Sequence, residues 1–255
     1  MKFKYAIQAN LFAICTFLFS SCSLDNYDAP DGGLNGIIVD SKTGLSVPQP
    51  VNATTGLTVR LIQQDWEVEA DAQLFYGNEN GQFINGQLFS GIYTMSLEQT
   101  NFFPVEPRTI VIDGQTAETV EVVPYANIEI KDLSINNLSI NADVLVSRSW
   151  DWKTDDKDCK ITSIKLYWNV SNHIDKESTH NLGSGNVDCN SLSDQDILSE
   201  PQTTYALISA TDINKYAHFI KANGNKIYVR AAVVTSCGGK EYYNYSNAQE
   251  LYIDL

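Results

Sequence analysis

The chain has 255 residues, 43% of them hydrophobic, with 17 Lys and Arg against 31 Asp and Glu for a formal charge of −14. That hydrophobic share is enough to fill packed cores and excludes an intrinsically disordered chain. The acidic excess argues against nucleic acid as a partner, since phosphate binding needs clustered Lys and Arg, and it would be repelled by an anionic membrane surface.

Lys2 and Lys4 give a basic start, residues 11–19 (LFAICTFLF) an apolar block, and Ser20 and Ser21 the small residues of a cleavage site. Together they read as a secretory signal over residues 1–21, too short and wrongly flanked for a spanning helix. The ending Phe19-Ser20-Ser21-Cys22 resembles the bacterial lipoprotein signal, with Phe19 where that motif prefers Leu. The resemblance implies that Cys22 becomes an acylated N-terminus held in the outer membrane, each buried methylene contributing about 0.8 kcal/mol. The alternative is an ordinary signal cut nearby, with Cys22 a spare thiol. Residues 22–33, polar with a Pro and two Gly, read as a flexible tether. Acidic residues so close to the cysteine resemble the export tag that sends Bacteroidetes-type lipoproteins to the cell exterior.

From residue 34 to 125 the pattern is short β segments broken by turns: LNGIIVD (34–40), TGLTVRLI (55–62), GIYTMSLE (91–98), VEPRTIVID (105–113) and AETVEVV (117–123). Leu57, Val59 and Leu61 alternate with Thr58 and Arg60, a period of two that predicts antiparallel strands. Gly44 is placed for a hairpin turn after Asp40, and Asn80-Gly81 for a tight turn before a strand begun by Phe83. The set Leu34-x-Gly36, Asp40-x-x-Thr43-Gly44, Val59-Arg60-Leu61, Asn80-Gly81-Gln82-Phe83 and Leu88-Phe89-x-Gly91-x-Tyr93 resembles the carboxypeptidase-regulatory-like, or transthyretin-like, β-sandwich. In that family the module accompanies catalytic or transport machinery and has no active site.

Proline ends strands, so Val123-Pro124-Tyr125 marks a boundary, and residues 126–255 form a second unit. Strands are predicted at 128–133, 138–147, 160–170, 181–188, 203–209, 227–235 and 243–253, the pattern of an immunoglobulin- or fibronectin-like sandwich. In 211–224, Ile213, Tyr216, Ala217 and Ile220 fall at helical spacing, with Thr211 or Asp212 as cap and Gly224 as terminator, predicting one short helix between the fifth and sixth strands. The fold class is therefore all-β, two tandem sandwiches.

Cys159 opens the third of these strands and Cys237 ends the sixth, which are antiparallel neighbours in this fold class. Cys189 instead sits symmetrically with Cys159 about a hairpin near Ile174-Asp175. Either pairing of Cys159 fits, as do three free thiols. Secretion permits a disulfide.

Tether, regulatory-like sandwich and immunoglobulin-like sandwich, with Gly36, Arg60-Leu61, Phe89-Ser90-Gly91-x-Tyr93, Val123-Pro124-Tyr125 and Asn244-Tyr245-Ser246, resemble an uncharacterised Bacteroidetes lipoprotein family. Its members are often encoded near outer-membrane nutrient importers of the starch-utilisation type. The resemblance implies glycan capture or structural support of an importer, and carries no catalytic or binding residues across.

The chemical inventory is thin. His173, His180 and His218 stand outside the spacings of zinc sites, and neither a nucleophile elbow nor a phosphate-cradling glycine loop is present. No enzyme activity, cofactor or metal is expected, although carboxylates are plentiful enough for a glycosidase-type pair. Trp150 and Trp152 lie two apart, so on extended backbone both rings point one way with Asp151 opposite: either a sugar platform or edge packing. Asp155, Asp156 and Asp158 read as a solvated acidic turn before a calcium loop, and Tyr242, Tyr243 and Tyr245 as packing before a platform.

Overall fold

The structure, a computed structural model, describes residues 28–51, 55–65, 70–98, 101–154 and 157–254. Cys22, the signal and most of the tether lie outside the described residues, as do Asp155 and Asp156.

The first module is a sandwich of two sheets. One has order β4-β1-β7, built from β1 (Gly32–Asp40), β4 (Gln82–Leu88) and β7 (Gln115–Val122). The other has order β3-β2-β5-β6, from β3 (Gln73–Tyr76), β2 (Thr58–Gln63), β5 (Gly91–Glu98) and β6 (Arg108–Ile112). β1 runs antiparallel to β4 and parallel to β7. The period of two delivers Val59 and Leu61 from one sheet and Leu34 and Ile38 from the other to a shared core with Phe83 and Tyr93. Gly36 is glycine because a Cβ there would lie 2.2 Å from the Phe83 ring. Gly44 has φ +70°, and its N–H donates to the Asp40 carbonyl to turn the chain into a bridge between Val39 and Ser46. β3, four residues long, carries no readable alternation and is an addition to the strands expected from sequence.

The second module has β8 (Asn127–Asn136), β9 (Ser139–Ser147) and β12 (Gln202–Leu207) in one sheet of order β12-β9-β8. Opposite lie β11 (Gly183–Asp188), β10 (Cys159–Asn169), β13 (Lys226–Cys237) and β14 (Lys240–Tyr245), with β15 (Gln249–Tyr252) also paired to β13. Ile140, Val144, Ile164, Trp168, Val229 and Val233 meet between the sheets.

Two expectations for this half need correction. The strand expected over 243–253 is two strands, β14 and β15. The chain breaks at Ser246, whose hydroxyl accepts from the Ala231 N–H at 3.0 Å and whose carbonyl accepts from Arg230. Among the described residues there are also two helices where one was expected. α1 (Asp194–Ser199) is one turn and a half, fixed by a reciprocal capping box between Ser193 and Asp196 and burying only Ile197. Six residues are too few to show a helical period. α2 (Ala210–Ala222) is the expected helix, capped by Ser209 rather than Thr211 or Asp212, because the Ser209 hydroxyl accepts from the Asp212 N–H at 3.0 Å. The fold is all-β, and among the described residues no helix is long and apolar enough to cross a membrane.

Candidate functional site

The two modules meet through buried polar groups. Arg230, on β13, is 2% exposed. Its Nε donates to the Ser246 carbonyl at 2.7 Å, Nη1 to Ile174 at 2.7 Å, and Nη2 across the junction to Gln49 and Glu79 at 3.0 and 3.2 Å. The Tyr245 ring lies 4.6 Å from the guanidinium. Burial depresses the Arg230 pKa to about 10, which leaves it charged at neutral pH. Asp175, fully buried, accepts from the Val51 N–H of the first module at 2.9 Å and from Glu177 N–H, and lies 2.9 Å from His180 Nδ1. His173 meets Glu79 of the first module at 2.7 Å. Asn101 donates to the carbonyls of Pro48 and Tyr243, while Asn244 donates back to Asn101 O at 2.8 Å.

Beside this junction opens a cleft of about 550 Å³. Its hydrogen-bonding wall comes from Asp40 and Thr43 of the first module and from Asn127, Glu129, Asn247 and Gln249 of the second. Asp40 ends β1 and is 1% exposed. Burial works against its ionisation, but hydrogen bonds from Ser149 Oγ, the Lys42 N–H and Asn127 Nδ2 hold its carboxyl below the ordinary value of 3.8. Gln249 is oriented by donating to Ile130 O at 3.1 Å. Thr43, Glu129, Asn247 and Gln249 remain solvent-facing. A second hollow of about 280 Å³, lined by Glu79, Tyr228, Arg230 and Glu250, also has Asn247 in its wall.

The loop after β9 places Trp150 as edge packing, one of the two sequence readings. Its backbone is bent at Ser149 and Trp150 and turned over Trp152–Thr154, with Trp152 N–H donating to Trp150 O at 3.0 Å, so the alternation of an extended strand does not apply. Trp150 is a buried plug: Nε1 donates to the Tyr125 carbonyl at 3.2 Å and the ring meets Phe103 edge-on at 5.4 Å. The Arg148 guanidinium sits 4.7 Å from the Trp150 ring and 5.8 Å from that of Trp152, anchored by an ion pair to Asp194 on α1. Lys153 lies 5.5 Å from the Trp152 ring. The two indoles therefore form no paired platform. Asp151 is exposed and engages Thr154 Oγ1 at 2.7 Å.

Cys159 and Cys237 face each other in the β10–β13 register and are disulfide-bonded, and Cys189 is a buried free thiol. Tyr245 is buried in a small cluster with Tyr167 and Ile174, and Tyr243 packs against it. Tyr242 stacks on Tyr125 at 4.0 Å. His218 contacts Phe219 on α2 at 3.8 Å. Among the described residues, no three His, Cys, Asp or Glu side chains converge as a metal site would. The cleft as a unit escapes sequence reasoning because its residues come from chain positions about 200 apart, although the motifs Asp40-x-x-Thr43-Gly44 and Asn244-Tyr245-Ser246 each supply part of its wall.

Two β-sandwiches joined by a polar seam, with a concave site beside it, define a class of tandem all-β proteins. Residues 32–123 match the N-terminal domain of DUF3823, a family of proteins of unknown function. The overall fold of the chain is that of solved DUF3823 proteins. One from Bacteroides uniformis is 22% identical, with a TM-score of 0.71 over 88% of this chain and 100% of that one. Another from Parabacteroides merdae is 22% identical with a TM-score of 0.68 over the same shares. A Bacteroides uniformis structure described as a putative carbohydrate binding protein is 17% identical, with a TM-score of 0.65, again over 88% and 100%. No curated protein matches the chain.

Proposed function

We infer that this chain is a non-catalytic glycan-binding lipoprotein, held in the outer membrane by acyl chains on Cys22, facing the cell exterior and serving a starch-utilisation-type nutrient importer. The observation that carries the reading is the cleft between the modules, whose lining mixes hydrogen-bonding groups with apolar side chains such as Leu45, Ile128 and Leu145. Sugar rings present hydroxyls that both donate and accept, and the amides of Asn247 and Gln249, the hydroxyl of Thr43 and the carboxylate of Glu129 suit them. The cleft volume of about 550 Å³ lies in the usual range for ligand pockets, and the junction hydrogen bonds keep its two walls in one arrangement. The likeness in fold to a protein described as a putative carbohydrate binding protein supports the same reading.

Affinity electrophoresis of the acylated chain in mild detergent, through gels containing plant and host glycans, tests it. At least one polymer should retard the protein. A Thr43→Ala/Asn247→Ala double variant, both exposed positions, should weaken that retardation at least tenfold. Absence of retardation by every polymer would overturn glycan binding. Co-purification of an importer with the acylated chain tests the accessory role.

A further inference from the structure

We propose that the junction cleft accepts uncharged glycan chains and rejects those carrying uronate or sulfate groups, an inference that rests on the glycan-binding reading and narrows it. The charge of the walls carries it. Asp40 and Glu129 are both in the cleft lining, and the lining holds no Lys, Arg or His. The Asp40 carboxylate is 1% exposed and stabilised in its ionised form by donors from Ser149, Lys42, Asn127 and Thr43, so its charge is fixed and little screened by salt. Lys131, which adjoins the cleft through Glu129, is already paired with that carboxylate at 2.6 Å.

The second hollow differs, since Arg230 in its wall keeps its positive charge among neutral carbonyls. Glu79 and Glu250 are in its wall, and Lys226 is paired with Glu250 at 2.7 Å. Arg230 at its base gives bonds from all three guanidinium nitrogens to main-chain carbonyls. An anionic sugar entering the cleft thus meets the Asp40 charge, which no cation in the lining offsets, and Glu129, whose Lys131 is already engaged. It loses hydration without gaining a counter-charge, and such like-charge placement is how interfaces reject wrong partners. An uncharged pyranose meets no such barrier, and its hydroxyls donate to the exposed Glu129 carboxylate.

The test compares uncharged polymers (xyloglucan, galactomannan, dextran) with anionic ones (polygalacturonate, alginate, chondroitin sulfate) in affinity gels at fixed ionic strength, using the acylated chain. Retardation should be confined to uncharged polymers, with anionic ones bound at least tenfold more weakly. Glu129→Lys, at an exposed position, should narrow that gap at least threefold at low salt. Retardation by an anionic polymer as strong as by any uncharged one would overturn the charge rule while leaving glycan binding standing, as would a gap that Glu129→Lys leaves unchanged. Retardation by neither class would remove glycan binding itself and the charge rule with it.

Discussion

Inside each sandwich the buried positions are filled by Leu, Ile, Val and aromatic side chains, whereas the buried side chains along the junction include Asp40, Gln49, Asn101, Asp175, Arg230 and Asn244. Apolar packing is non-directional, so a core of the right volume forms around many combinations of residues. Hydrogen bonds have fixed geometry, and a buried donor left without an acceptor is expensive. A junction built from such bonds accepts one relative placement of the modules. The cores make each module stable, and the junction makes the cleft between them a defined shape.

That contrast breaks most completely at Arg230. Arg230→Met keeps much of the bulk but leaves the carbonyls of Ile174, Ser246 and Gln49 without the Arg230 donor, and should cost about 3–5 kcal/mol. Urea unfolding followed by tryptophan fluorescence should then resolve into two transitions where the parent shows one. A single transition at the parent midpoint would show that the modules are not coupled through this side chain. Reduction of Cys159–Cys237 sharpens the comparison from the other side, since the bond closes a loop of sequence separation 78 within the second module alone. In the Arg230→Met background, where the two transitions separate, it should lower stability by about 2–4 kcal/mol in the second module's transition and leave the first unmoved.

The smallest effect concerns Asp40. Its carboxyl is held below the ordinary aspartate value, so its stabilisation is complete above that value of 3.8 and is lost as pH falls through the depressed one. Asp40→Asn should cost about 1–2 kcal/mol at neutral pH and flatten the fall in stability below pH ~4, measured as midpoint against pH. A variant whose acid limb superimposes on the parent's would remove Asp40 from the account.

Legibility in the sequence follows the same division. Leu57, Val59 and Leu61 disclose their strand because alternation is a local property, and all three are fully buried. Ile220 on α2 discloses its face by helical spacing for the same reason. Arg230 has no comparable signature. Within KIYVRAAVVTSC it reads as an outward polar residue of a strand, and its role depends on carbonyls of Gln49 and Glu79 that precede it by 181 and 151 positions. Trp150 and Trp152 mislead in the opposite sense, since their spacing is informative only on extended backbone and the chain turns there. The short motifs Val123-Pro124-Tyr125 and Asn244-Tyr245-Ser246 do mark the junction. Pro124 bridges Phe102, Tyr125 receives the Trp150 indole N–H, and Asn244 accepts from the Ala126 N–H.

β1 has one further consequence. It begins at Gly32, where the N-terminal segment enters, and ends at Asp40, in the cleft wall, with no bend large enough to interrupt its pairing to β7. Nine extended residues measure about 27 Å from first to last. The strand is therefore a rigid spacer, with the entry of the chain at one end and the cleft wall at the other.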